Sequence, residues 1–159
     1  MYTKVINRNS KIQLAWYNRG ICLADLNNYS LALRDFDKVI TLKTPGGHLM
    51  ELNTGAAPIL GDEARYQVPF DDALYQRATA KTEIDSLESA FNDFQLLIER
   101  NYKKSNCSAW QGLLYVEVSD SLKACDCFQK AKNFADNNFD KVKAEELLRK
   151  YCNIVKNNR

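Results

Sequence analysis

Side chains able to do catalytic chemistry are scarce in this sequence of 159 residues. It has one histidine, His48, with no nucleophile motif beside it, so a Ser/His/Asp or Cys/His mechanism has no support. Gly46-Gly47 is not followed by a phosphate-loop pattern. Most of the 20 Asp and Glu residues lie on predicted polar helix faces, which indicates solvated surface, and the exceptions are Glu51, Asp62 and Glu63 in the stretch rich in Pro and Gly. We therefore predict a protein that is not an enzyme, with no catalytic residue, no cofactor and no metal.

The five cysteines could in principle bind a metal or form a disulfide: Cys22, Cys107, Cys125, Cys127 and Cys152. On a helix, Cys125 and Cys127 would project about 200° apart, so one metal ion could not easily bind both. Small buried hydrophobes are the favoured interpretation of these residues. That interpretation, together with the lack of a visible signal peptide, slightly favours a cytoplasmic location.

The elements that must position these side chains are predicted to be helices. All three prolines and four of the six glycines fall between residues 45 and 69, and the flanks are proline-free. With 45% hydrophobic residues the chain can bury a core. A net charge of +2 gives no strong field toward nucleic acid or an anionic membrane, and no apolar run approaches the roughly 18–20 residues of a membrane span.

One spacing occurs three times: an alanine, an aromatic residue four positions later, and an apolar residue three positions after that. The segments are Ala32-x3-Phe36-x2-Val39, Ala90-x3-Phe94-x2-Leu97 and Ala124-x3-Phe128-x2-Ala131. This spacing describes one face of a helix. The second and third segments are 34 residues apart, whereas the first and second are separated by 24 residues more, in the Pro/Gly-rich stretch. Tyr2-x2-Val5 repeats the pattern one period earlier, so we expect the chain to begin inside the second helix of an earlier repeat.

A second apolar-periodic stretch precedes each of these segments, and a short polar pair connects the two. The pairs are Asn27-Asn28, Asp85-Ser86 and Ser119-Asp120. We expect them to supply N-cap residues for the second helix of each pair.

These features resemble the tetratricopeptide repeat family, whose unit has 34 residues. The matching residues are Trp16, Gly20, Leu23, Tyr29, Ala32 and Phe36 in the first repeat, Leu74, Ala78, Ala90 and Phe94 in the second, and Gly112, Tyr115, Ala124 and Phe128 in the third. The resemblance implies an all-α fold class: an α-α superhelix, or right-handed solenoid of antiparallel helix pairs, with a C-terminal capping helix. Its predicted segments are 1–10 (truncated second helix), 11–43, 70–103 and 104–137 (repeats), 44–69 (irregular insertion) and 138–159 (cap).

The resemblance also implies a function, which is binding of a protein or peptide segment in a groove formed by the first helices. By position, the groove would contain Tyr17, Asn18, Ile21, Asp25, Tyr75, Gln76, Thr79, Glu83, Trp110, Leu113 and Glu117. Three aromatic residues, Tyr17, Tyr75 and Trp110, would be the energetic anchors, although packing between helices explains them equally well. The alternatives are a structural spacer or self-association module, with a homo-oligomer formed through the exposed terminal helix, and an accessory or ligand-binding role of the insertion.

The last segment reads as an amphipathic helix with Phe139, Val142, Leu147, Leu148, Tyr151 and Val155 on its apolar face. Returning antiparallel to the preceding helix, it would bring Cys152 level with Cys125. A Cys125–Cys152 disulfide would then attach the cap to the last repeat, provided that the compartment is oxidising.

Overall fold

A computed structural model describes residues 1–42 and 68–156 of the chain. These residues form eight α-helices and no strand: α1 (Tyr2–Arg8), α2 (Gln13–Asp25), α3 (Tyr29–Thr41), α4 (Phe70–Thr82), α5 (Leu87–Glu99), α6 (Lys104–Glu117), α7 (Ser121–Asn133) and α8 (Asn138–Lys156). None of the helices in this part of the chain combines the length and apolar character that crossing a membrane requires. The predicted insertion 44–69, with His48, lies outside the described residues apart from positions 68 and 69.

Two compact units make up the chain, residues 1–80 and residues 81–159. In the first unit, α2 packs on α3. Phe36 of α3 is fully buried against α2 at Gly20, where an added Cβ would lie only 2.7 Å from the ring. Ala32, Phe36 and Ala80 form a buried cluster, on which Tyr17 and Ile21 pack. The small residue on the first helix therefore allows the aromatic ring of the second to approach its backbone closely.

The second unit repeats this arrangement with α6 and α7. Phe128 of α7 is fully buried beside Gly112 of α6, where an added Cβ would lie 2.3 Å from the ring. The cap α8 packs on both helices through Ala144 and Leu147. The prediction of the apolar face of α8 is partly wrong, because Phe139 is 77% exposed and Val142 is 41% exposed. Instead, α8 buries Ala144, which lies against the alanines Ala109 of α6 and Ala131 of α7.

The connection between the helices of each pair uses the same backbone geometry three times. Asn27, Asp85 and Ser119 all have a left-handed backbone, with φ between 57° and 60°. In each case the next residue donates its N–H to the carbonyl five positions back, for example Asn28 to Leu23 at 2.8 Å. This pattern closes the first helix of each pair. The expectation of side-chain caps holds only for Asp120, which accepts from the Lys123 N–H at 3.1 Å, because at the other two turns the backbone alone makes the connection.

Neighbouring helix pairs are joined by another contact that recurs in phase. One partner is the residue before the small residue (Gly20, Ala78 or Gly112) of a first helix. The other partner is the residue after the aromatic residue (Tyr2, Phe36 or Phe94) of the second helix that precedes it in the chain. The pairs are Arg19 with Thr3 (3.4 Å), Arg77 with Asp37 (3.0 Å) and Gln111 with Gln95 (3.2 Å). Because Thr3 follows Tyr2 as Asp37 follows Phe36, α1 makes the contact that the second helix of a pair makes elsewhere.

Two carboxylates are buried, contrary to the expectation that the acidic residues are solvated. Asp35 is 3% exposed and accepts two hydrogen bonds of 2.7 Å from the Arg19 guanidinium. Asp93 is 7% exposed and lies 2.7 Å from the Lys81 ammonium. Each carboxylate directly precedes the buried aromatic residue of its second helix and is therefore brought into the interior with it. In both cases a cation from the preceding helix neutralises the charge of the carboxylate. The third repeat has buried Cys127 at this position and needs no cation.

The two ends of the segment 43–67 are held by one side chain. The Gln13 amide, at the start of α2, donates its NH₂ to the Leu42 carbonyl and accepts the Val68 N–H at 3.0 Å. The chain therefore leaves α3 and returns toward α4 at nearly the same point.

Candidate protein-binding surface

In the first unit, the residues predicted for the groove are organised around Tyr17. Its ring packs on Phe36 with the centroids 6.1 Å apart. Burial raises the pKa of the Tyr17 hydroxyl, and the negative charge of Asp72 raises it further, whereas a hydrogen bond with the Gln76 side chain opposes the rise. The half-buried hydroxyl thus lies in a polar site formed by residues of α2 and α4.

Sequence reasoning placed Tyr17 and Gln76 on the same surface, and the structure brings them together. It missed Asp72, which lies one helical turn before Gln76 on α4. The spacing of four residues could have revealed it, because residues i and i+4 share a helix face.

The other predicted residues of this unit surround that site. Ile21 packs on the buried cluster described above, and Asn18 and Tyr75 are half-buried. Thr79 is also half-buried, and its hydroxyl contacts the carbonyls of Tyr75 and Gln76 at 3.2 and 2.9 Å. Asp25 is exposed. The surface thus combines partly covered apolar side chains with amide groups and a carboxylate.

In the second unit, Trp110 of α6 is the central residue of the predicted surface. Its ring lies parallel to that of Phe94, with the centroids 5.9 Å apart and the planes 4° apart. Phe94 is fully buried, whereas Trp110 remains half-exposed. One face of the indole thus contributes to packing between helices, while the rest of the side chain stays accessible. Leu113 is half-buried, and Glu83 and Glu117 are exposed.

A different concave surface exists in the first unit, in a position that the sequence did not suggest. This cleft, of about 530 Å³, is lined by Thr3, Trp16, Arg19, Leu23, Leu31, Arg34, Asp35 and Lys38. The Trp16 indole donates a hydrogen bond to the Ser10 carbonyl at 2.8 Å, and the Arg19 guanidinium stacks 4.8 Å from its ring centroid. A partner could bind in this cleft instead of the predicted groove, so an experiment has to distinguish the two surfaces.

The cysteines are divided between the surface and the interior. The Sγ atoms of Cys125 and Cys152 lie 2.15 Å apart, with their Cα atoms 5.7 Å apart. Cys107 and Cys127 are buried and unpaired, and Cys22 is exposed. Within residues 1–42 and 68–156, no three His, Cys, Asp or Glu side chains are grouped as a metal site would require.

Comparisons with known proteins agree with this architecture. The model of the tetratricopeptide repeat family matches residues 14–43. This segment is similar to a tetratricopeptide repeat. Two crystal structures of MamA have a similar fold, both at 15% sequence identity. One aligns over 99% of this chain and 86% of its own with a TM-score of 0.61, and the other over 94% and 76% with a TM-score of 0.60. A search of curated protein sequences found no match.

The resemblance drawn from the three in-phase segments is therefore confirmed, and so is the fold class. The described helices, the family match and the similar solved structures agree on an all-α helical repeat solenoid. Repeats of this family generally mediate protein–protein interactions, and such folds are typically not enzymes. At 15% identity the MamA structures support the fold alone.

Proposed function

We propose that this chain is a non-catalytic interaction module that binds a segment of a partner protein on its first helices. The observation that carries the proposal is the different exposure of two sets of aromatic residues. Those of the second helices, Phe36, Phe94 and Phe128, are fully buried and build the core. Tyr17, Tyr75 and Trp110 of the first helices keep part of their surface accessible. Half-exposed aromatic rings on a rigid support supply binding energy at little cost in entropy.

The binding mechanism would combine apolar burial with polar positioning. An apolar side chain of the partner would cover the exposed edge of Trp110 or Tyr17. The Gln76 amide and the Asn18 amide would hydrogen-bond the backbone of an extended or helical segment and so set its register. Recognition of a polypeptide suits this surface, because its side-chain amides can both donate hydrogen bonds to a peptide backbone and accept them from it.

The experiment compares the two tryptophans of the chain, which are matched in type and in partial burial. Peptides that bind the purified chain would be selected from a display library, and their affinities measured by fluorescence anisotropy. Trp110→Ala removes an anchor of the proposed surface, and we expect binding to weaken about 30-fold or more, as truncation of a hot spot does. Trp16→Ala removes the aromatic of the cleft and should leave the affinity unchanged.

A photo-cross-linking amino acid gives a second test that does not depend on stability. Placed at Asn18, it should cross-link the selected peptides, whereas at Arg34, in the cleft, it should not. Cross-linking from Arg34 alone, or loss of affinity in Trp16→Ala alone, would contradict the proposal. Failure of every selection would favour the alternative of a structural spacer or self-association module, which analytical ultracentrifugation tests directly.

A further inference from the structure

The last helix, α8, is attached to the second unit at both of its ends. A short turn joins its beginning to α7. Near its other end, Cys152 meets Cys125 of α7, with a Cα separation of 5.7 Å that is within the range of disulfides. The bond closes a ring across a sequence separation of 27 residues. The disulfide lies near the C-terminal end of α8, whereas the turn from α7 lies at the N-terminal end.

The noncovalent contacts of α8 are made mainly with α7. Among the described residues of α8, Ala144 is the buried hydrophobic one, and together with partly buried Leu147 it packs on Ala109 and Ala131. Near Cys152, the Tyr151 ring stacks on Phe128, with the centroids 5.7 Å apart.

The polar contacts of α8 add little to this packing. Lys132 pairs with Glu145 at 3.0 Å, but both side chains are more than one third exposed, and such pairs contribute little. Asn106 and Asp140 are 3.4 Å apart near the beginning of the helix. Because the one fully buried hydrophobic side chain among the described residues of α8 is a small alanine, the covalent link at the far end of the helix adds to its docking.

We propose that Cys125 and Cys152 are a reversible redox site for low-molecular-weight disulfides, such as oxidised glutathione, and that its state controls how firmly α8 docks. One cysteine thiolate attacks a glutathione disulfide, forms a mixed disulfide and releases one glutathione thiolate. The second cysteine then attacks the protein sulfur of that mixed disulfide and releases the second glutathione. The two protein thiols lose two electrons and two protons, and one glutathione disulfide becomes two glutathione thiols.

The surroundings of the other thiols of this unit confine the reaction to this pair. Cys125 and Cys152 are half-buried, so a small disulfide can reach them. Cys127 is buried only two residues away, and burial raises its pKa. Burial also raises the pKa of Cys107, to about 12. Neither buried thiol supplies much thiolate, so disulfide exchange with them is slow.

The test is hydrogen–deuterium exchange of the full chain in oxidised and reduced glutathione buffers, with the pair quantified by non-reducing peptide mass spectrometry. We expect Cys125–Cys152 to form and to be reversed in millimolar reduced glutathione. In the reduced protein, amides of α8 should exchange roughly 100-fold faster, since a ring of this length limits chain opening by up to several hundred-fold. Exchange in α2 and α3 should not change.

Two cysteine variants provide the matched comparison. Cys152→Ser should exchange rapidly in α8 in either buffer. Cys127→Ser, which alters an unpaired thiol on the same helix as Cys125, should keep the full redox difference. The proposal is overturned if the pair does not form while exposed Cys22 is glutathionylated. It is equally overturned if the disulfide persists in millimolar reduced glutathione, or if α8 exchanges at the same rate in both states. The outcome does not depend on the partner-binding proposal.

Discussion

Gly112 is the position at which the packing of the second unit can be tested most directly. In Gly112→Ala, the new Cβ would lie 2.3 Å from Cε1 and 2.5 Å from Cδ1 of Phe128. Carbon atoms in contact prefer about 3.5–4.0 Å, so the ring or the helix must move by roughly 1 Å. The Phe128 ring is fully buried and stacked on Tyr151, with 5.7 Å between centroids, so it has little room to retreat.

Two effects of opposite sign decide the outcome. Replacing a helical glycine by alanine stabilises the helix by about 1 kcal/mol. Overpacking a well-filled core costs about 1–3 kcal/mol, and a separation this short places the cost in the upper part of that range. We therefore expect Gly112→Ala to lower the free energy of unfolding by about 1–2 kcal/mol. Gly20→Ala, where the distance is 2.7 Å, should be affected less.

Guanidinium unfolding of a Trp16→Phe background, followed by Trp110 fluorescence, would report on the second unit alone. Phe128→Leu provides the control, because a smaller side chain leaves room for the new methyl group. In that background, Gly112→Ala should be neutral or stabilising, which gives a coupling free energy of about 2 kcal/mol. An increase in stability on Gly112→Ala in the presence of Phe128 would refute the reasoning, because helix propensity would then outweigh the contact.

Two further predictions concern charged groups. Arg19→Met leaves the Asp35 carboxylate buried without its cation and should cost about 2–4 kcal/mol in unfolding free energy. Arg77→Met, which breaks a pair with the exposed Asp37, should cost less than about 1 kcal/mol. Equal losses in the two variants would contradict a specific role of burial. The side-chain hydrogen bond from Lys123 lowers the pKa of Asp120, so its stabilisation of α7 is complete above the ordinary aspartate pKa and is lost as pH falls through the folded pKa. Asp120→Asn keeps an acceptor for the helix cap and should remove this pH dependence, which an NMR-monitored acid titration would measure.

Much of the fold could be predicted from local spacing. An alanine and an aromatic residue four positions apart share a helix face in any sequence. Three such pairs in phase predicted a helical repeat fold, which is confirmed, and α2 with α3 and α6 with α7 pack as pairs. Groove residues were assigned by position alone. The structure adds that Tyr17 and Gln76 meet at a site that includes Asp72. The spacing of four residues could have placed Asp72 on the same face as Gln76, but the meeting of that face with Tyr17 depends on the distance between α2 and α4.

The burial of Asp35 and Asp93 shows where local reasoning failed. In the sequence, each looks like a polar residue on a solvated face, since composition and spacing do not reveal a cation on another helix. Packing places Arg19 and Lys81 2.7 Å from them, and this proximity makes burial of the carboxylates tolerable.

The sequence by itself determined the helices, their pairing and the small residues that permit close contact, because these follow from a backbone periodicity that repeats every few residues. Only the tertiary structure decided which side of α8 is buried and which carboxylates enter the interior. It also placed Cys125 and Cys152 at a Cα separation of 5.7 Å. These features depend on the distances between helices, and in a repeat fold those distances are set by the side chains of both partners at once.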